Sequence, residues 1–145
     1  MKEAIFIAFL VFVFIGSIGT INAMPTFVNR VFAFAKTRPA TILSALGASA
    51  VTNAMTSNQY ATSFIVGDAF KTRFDALKIP RKVLSRSLED YGTMIESIVP
   101  WHPTAIFMIA TLGVPWADYW SWPFLTLTNL IIAPSIALTG IGCFY

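Results

Sequence analysis

Two polar interruptions of an otherwise apolar chain hold the side chains most able to do chemistry. The first, TNAMTSNQYATS from residue 52, follows a run of small and apolar residues. Hydroxyl and carboxamide oxygens, joined by backbone carbonyls at a non-helical tip, are the ligands that hard cations prefer. The alternative is a plain surface loop that joins two short helices. The predicted ion-binding residues of this segment are Thr52, Asn53, Thr56, Ser57, Asn58 and Gln59.

The second interruption places an acid and an imidazole around the sequence PWHP at residues 100–103. Glu96 lies strictly inside an apolar run, and an ionisable group within a membrane segment is a functional hypothesis by default. Burial would bring Glu96 and His102 toward proton exchange near neutral pH. Both are therefore predicted to take part in ion transport. The alternatives are a solvated Glu96 near lipid headgroups and a hydrogen-bonded His102 at a helix end.

The composition is that of a membrane protein. Of 145 residues, 56% are hydrophobic and 12% are charged, against about 25% charged in soluble domains, and the mean hydropathy is +0.68. The basic residues flank apolar segments, so the net charge of +3 does not indicate nucleic-acid binding. One cysteine excludes an intrachain disulfide, and a single distant histidine gives no zinc spacing. We expect stability to come from the bilayer and from helix packing.

The elements that must position the polar segments are predicted to be helices in a lipid bilayer. Residues 4–24 form the first span, because they carry no charge and reach about 31 Å as a helix, the thickness of the hydrocarbon core. A cleaved signal peptide is the alternative for this run. Residues 25–38 form a basic amphipathic segment that is expected to lie in the membrane interface.

Residues 39–70 hold the first polar interruption. Polar backbone at membrane depth must face protein or water, so we predict a broken helix or a re-entrant hairpin here. Residues 71–90 are rich in basic residues and are predicted to be an extramembrane loop broken by Pro80, on the cytoplasmic side by the positive-inside rule. Residues 91–116 form a second broken span, because two prolines disrupt a straight helix.

An aromatic belt over residues 115–123 leads to a final span over residues 124–145. Residues 1–145 are thus predicted to form a single all-α integral membrane domain, a helical bundle with discontinuous helices and a re-entrant hairpin. Roughly three to five membrane segments fit this length. That number is small for a transporter, which commonly contains two structural repeats. The chain is therefore expected to form a homo-oligomer or to be a fragment of a larger transporter.

A family resemblance covers roughly residues 40–145. The run LSRSLEDYGT at residues 84–93, followed by PW at residues 100–101 and TLGV at residues 111–114, resembles the carboxyl-terminal part of the NhaC-type sodium/proton antiporters. The segment NQY at residues 58–60 and Phe70 resemble the preceding stretch of the same family. The residues that carry the family motif are Ser85, Arg86, Glu89, Asp90, Gly92, Thr93, Pro100 and Trp101.

The resemblance implies a secondary active transporter of the ion transporter superfamily, and not an enzyme. Such a protein would be a multi-pass protein of the plasma membrane that exchanges Na⁺ for H⁺ and needs no cofactor beyond these transported ions. Its partners would be the lipid bilayer and a missing amino-terminal half or further copies of the chain. Three positions depart from the family pattern: Asn58, Glu96 and His102. Asn58 stands where the family often has an acid, and Glu96 stands where it often has a small residue, so the charge of the site is relocated from the first position to the second.

In the leading hypothesis, the tip at residues 52–60 coordinates Na⁺, with Asn53, Ser57 and Asn58 as ligands, and Glu96 competes for the cation by binding a proton. One alternative is sodium-coupled exchange of carboxylates or other organic solutes. Another is an inactive truncated chain or a subunit that serves assembly only. An intramembrane enzyme would need a nucleophile or metal constellation, and the sequence shows neither.

Overall fold

The structure is a computed structural model that describes Val13, Thr26, Arg30 and residues 36–143. Within this part of the chain the regular secondary structure is helical and no strand occurs, which agrees with the predicted all-α class. The remainder of the predicted span and of the interfacial segment, up to residue 35, lies outside the described residues. The helices are α1 (Arg38–Thr56), α2 (Gln59–Ala76), α3 (Arg81–Tyr91), a 3₁₀-helix (Thr93–Ile95), α4 (Pro103–Leu112), α5 (Trp116–Tyr119) and α6 (Phe124–Thr139).

The first polar interruption is a short break between α1 and α2. α1 ends because Ser57 adopts a left-handed conformation, with a φ of 51°, and its N–H donates to Asn53 O at 2.7 Å. α2 begins at once, because Asn58 Oδ1 accepts from the Ala61 N–H at 3.1 Å and satisfies a free donor at the helix start. The two helices pack against each other. A helix, a break and a second helix thus occupy residues 39–70, and a re-entrant path through a membrane stays a prediction.

Helices α1, α2, α3 and α6 share the apolar core of the described part. α2 contributes one buried residue every four positions, a spacing that keeps side chains on one helix face. Small buried residues on α1, among them Ala45, Ala48 and Ser49, let neighbouring helices approach closely. The main core residues are Ile42, Leu46, Val66, Phe70, Phe74, Val83, Leu84, Leu88, Ala133 and Ala137.

The segment over residues 71–90, predicted to be an extramembrane loop broken by Pro80, is mostly helical, and its position outside the membrane stays a prediction. Only the four residues that end at Pro80 separate α2 from α3. Arg81 Nη2 bridges this turn to Asp75 Oδ2 at 2.7 Å, and the hydrogen bond from Arg81 lowers the pKa of Asp75 below its usual value. α3 forms because its apolar residues recur on one face, which is buried, while its charges lie mainly on the other. The buried positions are Val83, Leu84, Ser87 and Leu88.

The elements after α3 are short or irregular. Residues 91–116 contain the 3₁₀-helix, a series of turns and α4. α6 includes Pro134, whose missing N–H leaves the Leu130 carbonyl without its usual helical donor. Tyr91 Oη donates to that carbonyl instead, at 2.7 Å. Among residues 36–143, no helix combines the length and the apolar character that crossing a membrane requires.

Candidate ion-binding site

The carboxyl end of α3 meets the break between α1 and α2. Carbonyls at a helix end lack donors from their own helix, and side chains from both sides of the break supply donors here. Asn53 Nδ2 donates to Gly92 O at 2.8 Å, and Gln59 Nε2 donates to Leu88 O at 3.0 Å. A Cβ atom on Gly92 would collide with the Gln59 amide and with Leu88 O, so this close approach requires glycine. The junction joins the first polar interruption to the start of the second.

Asn53, Glu96 and His102 come together beside this junction. His102 Nε2 lies 3.4 Å from Asn53 Oδ1 and 3.8 Å from Glu96 Oε1. Asn53 and His102 are buried, while the Glu96 side chain is 17% exposed. A partly exposed carboxylate, an imidazole and a carboxamide therefore share one polar cluster, which has the groups needed to hold a proton or a cation.

Thr104 completes the cluster from the first turn of α4. Its hydroxyl donates to Glu96 Oε2 at 2.9 Å, and its N–H donates to His102 Nδ1 at 3.2 Å. His102 is thus the N-cap of α4 and also a member of the cluster. Because Nδ1 accepts a hydrogen bond, the proton of a neutral His102 ring lies on Nε2, toward Asn53 and Glu96. Sequence reasoning missed Thr104, although Pro103 marks a helix start and so places residue 104 in the first turn.

The irregular segment over residues 93–102, which carries Glu96, is held by hydrogen bonds to other parts of the chain. Non-helical backbone needs such partners wherever water is scarce. Two aromatic residues of the 115–123 segment supply hydrogen-bond donors. The position of that segment at a membrane interface stays a prediction. The hydrogen bonds are Thr126 Oγ1 to Met94 O (2.9 Å), Tyr119 Oη to Ser97 O (3.0 Å), Trp116 Nε1 to Ile98 O (3.1 Å) and Trp101 Nε1 to Ala54 O (2.7 Å).

The other predicted ligands of the first interruption surround the break. Ser57 and Asn58 shape the two helix ends through the contacts described above. Thr56 Oγ1 donates to Thr52 O at 2.8 Å and lies 3.5 Å from Thr62 Oγ1. The structure therefore brings Asn53 to His102, which in turn lies beside Glu96. The other predicted ligands form a polar group at the break itself. Coordination of Na⁺ by Asn53, Ser57 and Asn58 stays a prediction.

Two buried oxygen atoms in this region have no hydrogen-bond donor among the described residues: Thr52 Oγ1 and Gln59 Oε1. Buried polar atoms normally have a partner. Gln59 Oε1 lies against Gly92 at the junction, and Thr52 is fully buried next to Asn53 in the sequence. An oxygen atom in this condition can accept a hydrogen bond from water or coordinate a cation.

Family-motif residues on α3 hold this helix to its neighbours. Arg86 Nε lies 3.6 Å from Asp90 Oδ2, and Asp90 Oδ1 accepts from Asn129 of α6 at 3.3 Å. Glu89 accepts from the Thr93 hydroxyl, which joins α3 to the 3₁₀-helix. These contacts stabilise α3 beside the break, together with the hydrogen bond that Gly92 O accepts from Asn53. Trp101, another residue of the motif, instead donates to Ala54 O of α1. The exposed motif residues include Ser85 and Pro100.

Interrupted helices that bring polar groups to a break are the architecture of secondary transporters. The chain belongs to the Na⁺/H⁺ antiporter family, whose family model matches residues 1–141. The expected resemblance to NhaC-type antiporters is confirmed by the relatives described next. Membership in this family points to a membrane transporter rather than to an enzyme.

Three relatives illustrate the match. The Na⁺/H⁺ antiporter NhaC of Bacillus subtilis is 40% identical over 99 residues, which cover 68% of this chain and 20% of the relative. The arginine/ornithine antiporter ArcD of Halobacterium salinarum is 36% identical over 101 residues, 70% of this chain and 21% of the relative. The NhaC antiporter of Alkalihalophilus pseudofirmus is 32% identical over 103 residues, 71% of this chain and 21% of the relative. The chain spans about a fifth of the length of these curated relatives. No solved structure matches it.

Proposed function

We propose that this chain contributes the ion-coupling site of an antiporter that exchanges Na⁺ for H⁺, with Glu96 as the coupling acid. The observation that supports this most is the position of His102 Nε2, 3.8 Å from Glu96 Oε1 and 3.4 Å from Asn53 Oδ1, beside a break between helices. Two relatives that are named Na⁺/H⁺ antiporters share 32–40% identity with the chain and lend further support.

Exchange follows if Na⁺ and H⁺ compete for Glu96. The ionised carboxylate attracts a cation, whereas the protonated carboxyl is a poor Na⁺ ligand. A site that holds one of the two ions at a time couples the two fluxes, because alternating access moves the site between the two sides of the membrane with either ion bound. In the absence of Na⁺, His102 is close enough to reach the carboxylate with a small movement of either side chain.

Neutral oxygen atoms would complete the Na⁺ site. Thr52 Oγ1 and Gln59 Oε1 are buried oxygens that lack a donor in the described part, and Asn53 Oδ1 has a long contact of 3.4 Å to His102. Asn53 would therefore bind Na⁺ through its side chain. Ser57 would contribute its backbone carbonyl, because unwound carbonyls are a common Na⁺ ligand in transporters. The Asn58 carbonyl accepts from the Thr62 N–H and from the Thr62 hydroxyl, each at 3.0 Å, and would bind Na⁺ in exchange for the hydroxyl.

The rest of the transporter would come from further protein. The chain spans about a fifth of the length of its relatives, so we expect it to work with an amino-terminal half or with further copies of itself. The complete protein would be a multi-pass protein of the plasma membrane. The transported Na⁺ and H⁺ would be the only ions it requires.

The first test measures Na⁺-induced pH change with a fluorescent dye in everted vesicles from antiporter-deficient cells that express these 145 residues. Glu96→Gln should abolish the response, because the amide cannot exchange a proton. Asp118→Asn makes the same chemical change at an exposed residue outside the cluster and should leave the response intact. A response that survives in Glu96→Gln, with equal protein in the membrane, would contradict the proposal.

A chimera extends the test to a complete transporter. The matching 99 residues of Bacillus subtilis NhaC would be replaced by those of this chain, which are 40% identical. Activity in the chimera and none in the isolated chain would show that further protein is required. No activity in either, with both inserted in the membrane, would favour the assembly-only alternative.

Exchange of organic solutes is the second candidate. The observation that favours it is the 36% identity to a protein named arginine/ornithine antiporter. Vesicles that hold the chimera would be tested for uptake of radiolabelled arginine, ornithine and malate beside ²²Na⁺. Uptake of an organic solute that depends on Glu96, without Na⁺-induced pH change, would favour this candidate over Na⁺/H⁺ exchange.

A further inference from the structure

Thr104 contacts both ionisable members of the cluster through two different atoms. Its hydroxyl donates to Glu96 Oε2 at 2.9 Å, and its backbone N–H donates to His102 Nδ1 at 3.2 Å. Glu96 precedes the Pro100-Trp101 turn and His102 follows it. Thr104 is therefore the residue of α4 that ties the two sides of the turn to each other.

The hydroxyl of Thr104 makes the two oxygens of Glu96 different. Oε2 is engaged by Thr104, whereas Oε1 lies 3.8 Å from His102 Nε2, beyond hydrogen-bond distance. In water these two oxygens are equivalent. In the cluster, Oε1 is the oxygen that remains open to a cation, because its contact with the His102 Nε2–H is too long for a hydrogen bond.

Local structure restrains the direction of this donor. Pro103 fixes the backbone at the first position of α4, and the Thr104 N–H is already bonded to the His102 cap. Threonine is β-branched, so few side-chain rotamers are open to it in a helix. The hydroxyl is thus held toward Glu96 by the helix start itself.

We propose that Thr104 is a positioning residue that orients Glu96 so that Oε1 receives the transported cation. This inference rests on the function proposed above. It predicts that the hydroxyl matters and that the methyl group does not. Thr104→Val keeps the shape and the backbone N–H, and should raise the half-saturating Na⁺ concentration about tenfold, since it removes one hydrogen bond to a charged group. Thr104→Ser restores the donor and should stay within about twofold of the unchanged chain, on the same scale.

The single histidine of the chain makes a direct measurement possible. Chain labelled with ¹⁵N and ¹³C at histidine, reconstituted in lipid bilayers, gives one imidazole signal set, which belongs to His102. NaCl would be titrated at one fixed alkaline pH, with choline chloride holding the ionic strength constant. A cation at Glu96 Oε1 lies beside His102 Nε2 and should shift its signal, so the midpoint of the shift reports Na⁺ binding without any need for transport.

The results of this titration decide the inference. A shift that is lost in Glu96→Gln, moves to about tenfold higher Na⁺ in Thr104→Val and returns in Thr104→Ser supports it. An unchanged midpoint in Thr104→Val overturns the positioning role, while loss of the shift in Glu96→Gln leaves the proposed function standing. A shift that persists in Glu96→Gln overturns both, as does the absence of a shift in the unchanged chain together with no Na⁺-induced pH change in the chimera. If the chimera is active and the unchanged chain shows no shift, the half-saturating Na⁺ concentration of the Thr104→Val chimera decides the inference by the same tenfold criterion. A Thr104→Val spectrum that has lost the Nε2–H signature before Na⁺ is added indicates a general structural role and overturns the inference.

Discussion

The two polar interruptions of this chain are held in different ways. At the break between α1 and α2, the caps of the two helix ends come from near neighbours in the sequence, such as Asn58 and Ala61, and long-range hydrogen bonds at Asn53, Ala54 and Gln59 add to them. In the segment over residues 93–102, three backbone carbonyls accept hydrogen bonds from side chains of α5 and α6, at least 18 positions away. A local break can form wherever its own residues are present, whereas a break held at long range needs the rest of the fold. The second interruption, which carries Glu96 and His102, therefore depends on how α5 and α6 pack.

The largest effect is expected at Gly92, where the two interruptions meet. Gly92→Ala would force a Cβ atom into the Gln59 amide and Leu88 O, and should lower the free energy of unfolding by about 3 kcal/mol. Thermal unfolding of the purified chain in detergent measures this loss. Gly67→Ala is the matched control, because its Cβ would meet only Leu88 Cδ1 at 3.9 Å and alanine favours a helix. Equal stability of the two variants would show that the junction can accommodate a Cβ atom at Gly92, contrary to this prediction.

A smaller effect is expected from a long-range donor of the second interruption. Tyr119→Phe removes the hydrogen bond to Ser97 O, next to Glu96, and should cost about 1.5 kcal/mol, since the half-buried carbonyl loses its partner. It should also move the histidine signal, because the backbone that carries Glu96 can then shift. Tyr60→Phe makes the same change on a tyrosine that is 83% exposed and should alter neither property. Identical results for the two variants would contradict the long-range support of this segment.

The smallest effect is expected at the local break. Asn58→Ala removes the cap of α2 and should cost about 1 kcal/mol. Asn58→Asp keeps an oxygen at the same position and should retain most of that stability. Because this cap acts within its own helix start, the histidine signal should stay where it is in both variants. If Asn58→Ala shifts the histidine signal as much as Tyr119→Phe does, the cap of α2 also affects the segment that carries His102. That result would contradict the independent support of the two interruptions.

The first interruption depends on neighbouring residues, although only Ser57 and Asn58 of the expected tip at residues 52–60 lie outside the helices. Polar and small residues without an apolar period indicated the first interruption, and the structure ends α1 and caps α2 within it, at Ser57 and Asn58. The helices within residues 71–90 were missed because the charges of this segment were weighed above the spacing of its apolar residues. Val83, Leu84 and Leu88 already follow the spacing of a buried helix face.

The composition of a membrane protein, the helical class, the NhaC-type family and the presence of two polar interruptions were determined by the residues alone, because each depends on residue type and near-neighbour spacing. Only the tertiary structure decided which polar groups meet. Asn53 and His102 are 49 positions apart, and Thr104 bonds to Glu96 across a turn. Such contacts follow from how closely helix ends approach each other, and at Gly92 that approach is set by the absence of a single Cβ atom.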